Sequence, residues 1–484
     1  MNLRFFAIQR VLGIIVMLSS LSKLPPVFVA LWYGEGAWWV FFSSCLLSLS
    51  IGAALWWPVR RIQYQLRLRD GFLIVSAAWI LASLVSALPF MHAEPHLDFT
   101  AAMFEATSGL TTTGATIITG LDDLPRSVLF YRQLLQFVGG MGIVILAVAI
   151  LPMLRIGGTQ LFRAESAGLT RDTKLTPRIA ETAKALWAVY FALTGLCIGA
   201  YWVAGMDFFD AVCHALTTVS TAGFSTYDAS LGHFDSAAVE TVAIIFMALG
   251  GMNFGLHFVA WRRATMNPYQ HDAETIAYLR ILAVASIVIA LVIWVGGTFN
   301  SFPEALRHAT FHAVSAMTTT GFGIDDYSTW AGVAPLLVVL LAVIGGSSGS
   351  TASGLKVARV VMLLQQGYRE IVQLVHPKGQ FLVKIGGRRV SESVVLSVSG
   401  FIAIWALCFM LVVVGMNMSG LDLESAFGAT IATFTNLGPG LGEVASNFST
   451  APVPAVWLGT VAMVFGRLEV FAILVLLTPA FWRE

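Results

Sequence analysis

Four near-copies of one short phrase, rich in threonine and glycine, most constrain how this chain can fold. The phrase reads TSGLTTTGAT at 107–116, LTTVSTAGFS at 216–225, SAMTTTGFG at 315–323 and TIATFTNLGPG at 430–440. Self-similarity of this kind is the sequence signature of a repeat architecture. We therefore expect an array of similar units about an axis and not one irregular core.

Alignment of the copies on one glycine reveals matching chemical columns. The aligned glycines are Gly114, Gly223, Gly321 and Gly438. A hydroxyl side chain stands three positions before each glycine, in Thr111, Ser220, Thr318 and Thr435. The positions between are filled by Thr112 and Thr113, Thr221 and Ala222, Thr319 and Thr320, and Asn436 and Leu437. All of these are called the filter residues below.

An acidic residue precedes each set of filter residues at a nearly constant distance. Asp98, Asp207 and Asp422 lie sixteen positions before the aligned glycine, and Glu304 lies one position further from its own. An acid at a helix start accepts N–H bonds from the first turn and suits the positive end of the dipole. We predict that each acid caps a half-helix that leads to the filter residues.

The composition places these repeats in a membrane. Of the 484 residues, 57% are hydrophobic and only 11% are charged, whereas soluble domains carry about 25% charged residues. A net charge of +1 gives no indication of nucleic-acid binding. Ten apolar segments have the ~20-residue length of a membrane helix: 5–33, 37–58, 71–91, 127–153, 182–204, 237–261, 276–297, 333–362, 393–416 and 453–480.

The basic residues predict the orientation of these helices, because Lys and Arg accumulate in cytoplasmic loops. If both termini are cytoplasmic, all but five of the 28 Lys and Arg fall near cytoplasmic ends. The exceptions are Lys23, Arg126, Arg132, Arg307 and Arg467. We therefore expect both termini to be cytoplasmic.

The filter residues lie on the outer side, in stretches too short to span a bilayer. Non-helical backbone at membrane depth is tolerated only where protein buries it or where it lines a watery cavity. Half-helices that aim their C-terminal ends at one axis, together with rings of backbone carbonyls, make a cation site. No carboxylate lies within the phrase, which favours potassium over Ca²⁺ or Mg²⁺. The alternative is that the small residues serve close helix packing.

A second unusual stretch, GGSSGSTASGLK at 345–356, interrupts the eighth apolar segment. Such a run disfavours a helix in lipid but can line a cavity, so we expect it beneath the filter residues. Its first residues are Gly345, Gly346, Ser347, Ser348, Gly349 and Ser350. The alternatives are a helix-packing patch and a phosphate loop, for which Lys356 comes one residue late and no strand precedes.

Arg467, in VFGRLEVFAIL, places a charge within the last apolar segment. Such a charge costs at least ~3 kcal/mol on insertion scales, so it normally faces the protein interior. Glu469 is two positions away and cannot face it on a helix. We expect its partner to be a carbonyl near 345–354, a filter carbonyl or water. A fixed positive charge there would limit ion flux, and a purely structural pairing is the alternative.

These motifs resemble the TrkH/TrkG/KtrB superfamily of potassium transporters, and the resemblance covers nearly the whole chain from residue 70 onward. It implies an all-α polytopic membrane protein with two N-terminal helices plus four pseudo-fourfold helix–P-loop–helix repeats around a central pore. The two extra helices favour the TrkH type. The implied units are an extension at 1–69 and pore repeats at 70–178, 179–270, 271–390 and 391–484. Repeat four departs most from the pattern, with Asn436, Leu437 and Pro439.

The resemblance also implies roles and partners. Residues 345–356 would form an intramembrane gating loop that occludes the pore, and Arg467 would be the arginine that limits flux. Potassium would be the substrate, with no covalently bound cofactor. The implied partners are a second copy in a homodimer, cytosolic TrkA-like nucleotide-binding regulatory subunits and membrane lipid, but no nucleic acid. The implied location is the bacterial inner (cytoplasmic) membrane.

Other function classes make different predictions. A proton- or sodium-coupled secondary symporter predicts inverted repeats, whereas these four all enter in one orientation. A membrane enzyme needs a catalytic constellation, and the sequence has no HExxH motif or nucleophile elbow, so we expect no enzyme. Cys45, Cys197, Cys213 and Cys408 lie in apolar runs and are expected to be buried thiols. We expect solvated or capping roles for His214 and His312, which lie near matching repeat positions.

Overall fold

The computed structural model describes residues 3–62, 66–145 and 179–483, and almost all of its regular structure is helical. The basic cluster from Arg155 to Arg178 lies outside the described residues. The N-terminal extension has helices α1 (Leu3–Ser20), α2 (Leu24–Tyr33) and α3 (Trp38–Trp56). Helices α1 and α2 continue as one apolar span, Arg4–Tyr33, that packs against the span Trp38–Val59.

Two glycines allow this N-terminal pair to cross closely. A Cβ atom on Gly13 would lie 2.9 Å from the Gly52 carbonyl oxygen, and the converse distance is also 2.9 Å. Small residues at such a crossing let membrane helices approach closely. The pair is joined to the rest of the chain by an ion pair between Arg4 Nε and Asp70 Oδ1 at 2.6 Å.

The remainder is one unit repeated four times: a long helix, a half-helix that ends in filter residues, and an outgoing helix. The long helices are α4 (Leu68–Ser86), α8 (Ile179–Val203), α13 (Ala273–Val295) and α17 (Glu392–Met418). The half-helices are α6 (Phe99–Leu110), α9 (Phe208–Val219), α14 (Phe302–Met317) and α18 (Leu423–Phe434). The outgoing helices begin as α7 (Arg126–Ile145), α10 (Ala237–Gly250), α15 (Ala334–Ile344) and α19 (Val453–Arg467).

Shorter elements complete the described fold. Helices α5 (Leu88–His92), α11 (Phe254–Arg263), α12 (Asn267–His271), α16 (Val357–Val375), α20 (Phe471–Leu477) and α21 (Pro479–Trp482) lie at the ends of the longer ones. Strands β1 (Lys384–Ile385) and β2 (Arg388–Arg389) pair antiparallel. Gly386 and Gly387 both have positive φ between these strands, as the tight turn of a two-residue hairpin requires.

The predicted apolar segments 237–261 and 453–480 are wrong as continuous helices. Helices α10 and α11 meet at 98°, and α19 and α20 meet at 109°. The second break follows Arg467, where Glu469 and Val470 both have positive φ. Six described helices are long and apolar enough to cross a membrane, or up to eight if each bent pair is one span. The all-helical repeat fold is confirmed, but with breaks that face the centre of the array.

Candidate functional site

The half-helices begin at side-chain caps, as predicted in three of the four repeats. The carboxylates of Asp98, Asp207 and Asp422 accept first-turn N–H groups at 2.7, 3.3 and 3.0 Å. The prediction for Glu304 is wrong. Helix α14 is one turn longer than its counterparts, so the hydroxyl of Ser301 is the cap and Glu304 is the residue whose amide donates to it, at 3.4 Å.

The filter residues adopt one unusual backbone conformation four times. Two positions before the aligned glycine, a non-glycine residue has a positive φ of 50–56° in every copy: Thr112, Thr221, Thr319 and Asn436. The glycines themselves have φ of 81°, 79°, 81° and 99° in chain order. A positive φ is uncommon outside glycine and is strained for a β-branched residue such as threonine. Such strain persists only where the surrounding structure holds it, so the four segments are built to one design.

The four segments close into a ring in which each touches the next. A Cβ atom added to Gly114, Gly223 or Gly321 would lie only 1.9–2.2 Å from a carbonyl oxygen of the next repeat. That oxygen belongs to the residue that precedes the next repeat's aligned glycine. On Gly438 it would lie 2.7 Å from the Thr113 carbonyl oxygen of the first repeat. Only glycine therefore leaves room for these close backbone approaches. The ring runs in chain order and joins the last repeat to the first.

The column of four hydroxyls is buried and turned toward its own half-helices. Each hydroxyl donates to the carbonyl four residues earlier, at 2.7–2.8 Å, in Thr111, Ser220, Thr318 and Thr435. In repeats one and three this hydroxyl also lies 2.7 Å from that of Thr113 or Thr320. The hydroxyl hydrogens are thus engaged, and only oxygen lone pairs remain for a cation.

Two amide side chains compensate where the repeats diverge. In repeat two, Gln136 donates to the Ala222 carbonyl at 2.7 Å and accepts from Phe224 N at 3.0 Å. In repeat four, Asn436 Nδ2 donates to Thr113 Oγ1 at 2.8 Å and to the Met463 carbonyl at 3.0 Å. Where a repeat has another residue in place of threonine, a side-chain amide therefore fixes the filter backbone to a neighbouring element.

A buried ion pair lies next to the repeat-two filter segment, and it was not predicted from the sequence. Arg132 Nε lies 2.7 Å from Glu105 Oε1, and both side chains are fully buried. Arg132 also donates to the Ser225 carbonyl at 3.1 Å and lies over the Phe224 ring. Arg132 was already an exception to the cytoplasmic charge pattern, which was the available signal. The pair braces the outer end of the repeat-two segment.

A polar cavity of about 280 Å³ lies against the ring and draws its lining from all four repeats. Gly114, Gly223, Gly321 and Pro439 contribute to one wall. Arg132, Tyr227, Asp228 and Asn447 are among the residues that line the rest. The common cavity is what an axial arrangement of the four segments requires.

The two histidines singled out in the sequence are buried, so the prediction that they are solvated or capping is wrong. His214 contacts the Asp210 carbonyl and the Ser225 hydroxyl, both at 2.9 Å. His312 Nε2 lies 2.5 Å from Asp325 Oδ1. Within the described ranges no group of three or more His, Cys, Asp or Glu side chains is placed to hold a metal ion. Both histidines brace the segments that follow the filter residues.

Asp325 is the centre of a polar cluster outside the membrane-spanning helices. Its carboxylate accepts from Trp330 Nε1 at 2.9 Å, and His308 Nδ1 lies 3.3 Å from its second oxygen. Burial alone would raise the pKa of the Asp325 carboxyl, but His308, His312 and Trp330 outweigh it and hold the pKa well below its usual range.

Asp325→Asn is expected to reduce the acid sensitivity of the folded protein. A carboxyl with a depressed pKa contributes its full stability above the unfolded aspartate pKa of about 3.9 and loses it as the pH falls further. Between about pH 5 and about pH 3, the wild type should lose ~1–2 kcal/mol more than the variant. Unfolding in detergent at both pH values measures this. The exposed neighbour Asp326→Asn is the control, and equal acid losses in wild type and Asp325→Asn would contradict the prediction.

The segment 345–356 lies directly under the ring, as the sequence predicted. Thr351 Oγ1 lies 3.0 Å from Thr221 Oγ1, and Ser353 N donates to Thr319 Oγ1 at 2.8 Å. The contacts to the filter residues thus come from Thr351 and Ser353. The predicted residues Gly345 to Ser350 lie just before them in the chain.

Those predicted residues instead attach the segment to its surroundings. Ser347 N donates to the Gly251 carbonyl at 2.8 Å, and the Gly349 carbonyl accepts from Phe254 N at 3.1 Å. Ser348 N donates to Glu274 Oε1 at 2.6 Å. A Cβ atom on Gly345 or Gly346 would collide with residues 352–354 or with the Gly251 carbonyl, and the Ser350 hydroxyl donates to the Ser347 carbonyl. The segment is a compact loop, called the plug below, that is hydrogen-bonded to α13 and to the bend between α10 and α11.

Arg467 reaches this plug through one nitrogen. Its Nη1 donates to the Thr351 carbonyl at 3.0 Å and to the Ser353 hydroxyl at 2.8 Å, and the side chain is 3% exposed. Glu469 does not pair with it, because that carboxylate lies 2.6 Å from Arg359 Nη2. Among the described residues, Nε and Nη2 of Arg467 have no hydrogen-bond partner. The partner of Arg467 is therefore a carbonyl in the range expected, together with a hydroxyl that was not anticipated.

Fold and site together define a membrane transport protein built from four helix–half-helix–helix repeats, whose glycine-bearing segments meet in one ring. The family model of the TrkH cation transport proteins matches residues 39–483. The chain belongs to this family. Because the family consists of transport proteins, the expectation that the chain is not an enzyme is confirmed.

Relatives and a solved structure agree over the full length. The chain is 45% identical to the Trk system potassium uptake protein TrkH of Halomonas elongata and 46% identical to that of Escherichia coli K12, with 100% of each chain covered in both cases. The crystal structure of the potassium transporter TrkH from Vibrio parahaemolyticus matches with a TM-score of 0.92 at 43% identity. That match covers 99% of this chain and 100% of the other.

Proposed function

We propose that this protein takes up potassium across the cytoplasmic membrane through a channel-like pore whose selectivity filter consists of the filter residues. The observation that carries the proposal is the closed ring of four glycine-bearing segments that share positive φ at the same two positions. Backbone oxygens at such a ring can replace the hydration shell of a large monovalent cation. The capped half-helices direct their partly negative C-terminal ends at the same place.

The plug at 345–356 is, in this proposal, the gate. Thr351 and Ser353 contact two filter residues, and Arg467 donates to the same two plug residues. A cation that has left the filter would meet both the plug and the buried guanidinium charge. Release of these contacts would open the path to the cytoplasm.

The remaining parts of the proposal concern the setting of the pore. Both termini are cytoplasmic in a bacterial inner membrane, and the chain divides into the extension and four pore repeats at the boundaries given above. Two copies associate as a homodimer. The relatives' name, Trk system, supports control of the gate by cytosolic nucleotide-binding subunits. The alternative function is a proton- or sodium-coupled symporter.

Rubidium uptake by the purified protein in liposomes tests the proposal. We expect uptake that potassium suppresses, that sodium suppresses weakly and that does not follow an imposed pH gradient. The Arg467→Ala variant is measured in parallel, so that a closed gate is not mistaken for the absence of a pore. Uptake that requires the proton gradient would favour a symporter, and no uptake by either folded protein would refute the pore.

Ser353→Ala is expected to raise rubidium flux about tenfold, because it removes one of the two acceptors of the charged Arg467 donor at a cost of at least ~1.5 kcal/mol to the closed state. Initial uptake rates in liposomes measure the change. Ser350→Ala is the matched control, since that hydroxyl donates to Ser347 within the plug and does not contact Arg467. A flux unchanged in Ser353→Ala, or raised equally by the control, would count against this role.

A further inference from the structure

An apolar cavity of about 800 Å³ lies beside the broken helix of repeat two, and no filter residue lines it. It occupies the space between helix α8 and the bent pair α10 and α11. A cavity of this size is typical of sites that enclose much of a small organic ligand. Its lining is almost entirely apolar and includes Val189, Leu193, Leu196, Leu249, Trp261 and Met266.

The bend between α10 and α11 explains why the cavity exists and where it opens. Both arms of this 98° bend line the cavity, since Leu249 lies on α10 and Trp261 lies on α11. Leu196, Trp261 and Met266 are 65%, 59% and 66% exposed, so the mouth is wide. Helix α8 contains a candidate membrane span, Ala183–Val203. The mouth therefore faces the acyl chains of the bilayer.

Two adjacent basic residues lie in the chain between residues that line this cavity. Arg262 and Arg263 lie between the lining residues Trp261 and Ala264, at the C-terminal end of α11. Both are exposed, and the part of the chain that the structure describes offers them no ion pair or hydrogen bond. Basic clusters next to gaps between membrane helices bind anionic lipid headgroups, and tryptophan favours the same interfacial level.

We propose that this cavity binds an anionic phospholipid, with an acyl chain in the apolar space and the phosphate against Arg262 and Arg263. The site is coupled to the plug through the backbone of the bend. The Gly251 carbonyl accepts from Ser347 N, and Phe254 N donates to the Gly349 carbonyl. A lipid bound against the bend therefore stabilises the bend residues, Gly251 and Phe254, to which the plug is hydrogen-bonded.

Native mass spectrometry of the full chain, titrated with phosphatidylglycerol or phosphatidylcholine of the same acyl chains, tests the proposal. We expect tighter binding of phosphatidylglycerol. The double variant Arg262→Gln, Arg263→Gln should bind it about 30-fold more weakly. The double variant Arg60→Gln, Arg61→Gln removes an adjacent arginine pair at the end of another span and should bind as the wild type does.

Gly195→Leu tests the acyl-chain part. Gly195 lines the cavity, and a Cβ atom there meets nothing within 4 Å, so the larger side chain should project into the space proposed for the acyl chain and weaken retention of the lipid. Gly199, one turn further along α8, is equally open but does not line the cavity, so Gly199→Leu is the matched control.

Any of three binding results would overturn the proposal: equal binding of the two phospholipids, unchanged binding by the arginine variant, or equal retention by the two leucine variants. A dimer that dissociates in Gly195→Leu but not in Gly199→Leu would show that a second copy covers the cavity, and would also overturn it. If Gly195→Leu does not fold, the arginine variant alone decides.

Discussion

Arg467→Ala is expected to raise rubidium flux through the protein alone by at least about tenfold. The substitution removes two hydrogen bonds to the plug from a charged donor, each worth ~1.5–3 kcal/mol, and a factor of ten requires only about 1.4 kcal/mol. It also removes a buried positive charge from the proposed ion path. Initial uptake rates in liposomes, at matched protein density, measure the effect.

Arg467→Lys separates the effect of the positive charge from that of the hydrogen bonds to the plug, which we call the anchor. Lysine retains the charge but has a single ammonium group in place of the planar, forked guanidinium. If the anchor holds the gate, the lysine variant should also show raised flux, though less than alanine. Unchanged or lower flux in Arg467→Ala, from protein that remains monodisperse, would remove Arg467 from the gate.

Gly223→Ser is expected to abolish most discrimination between potassium and sodium, and Gly438→Ser to weaken it less. A Cβ atom on Gly223 would collide with the Thr320 carbonyl oxygen, whereas on Gly438 the nearest atom is 2.7 Å away. Both glycines have positive φ, which adds ~1–2 kcal/mol of backbone strain for any other residue. Sodium and potassium competition against rubidium uptake measures the selectivity ratio, which we expect to fall by about tenfold or more in Gly223→Ser.

Gly34→Ser is the control for the strain alone. Gly34 has φ of 71° in the N-terminal extension, and a Cβ atom there meets nothing within 4 Å. That variant should lose some stability but keep the selectivity ratio. An unaltered ratio in a folded Gly223→Ser protein would place Gly223 outside the filter.

The repeat was predictable because each aligned position lies within one short segment and recurs in four copies. A pattern that is weak in one copy becomes clear when all four are compared. Gly114 and Thr112 differ in side chain yet share a positive φ, which the residue types alone do not indicate. The error at Glu304 arose because an extra helical turn shifts the cap to Ser301, and spacing from the glycine cannot detect this.

Contacts between side chains on elements that are distant in the chain could not be predicted from the sequence. Arg132 was visible as a misplaced charge, but its pairing with Glu105 depends on how α6 and α7 pack. The bends after Gly250 and Arg467 were missed because apolar residues continue on both sides of each break. Such breaks are set by the backbone groups that meet the plug, which periodicity does not record. Three cysteines are buried as expected, while Cys408 is only half-buried.

The contact that closes the ring joins residues far apart in the chain, since Asn436 and Thr113 are 323 positions apart. A ribosome releases the first three repeats into the bilayer long before the fourth is made. Until then the ring lacks one quarter, and the filter proposed above is incomplete. In the proposed pore, selectivity for potassium therefore arises only after the fourth repeat has been synthesised.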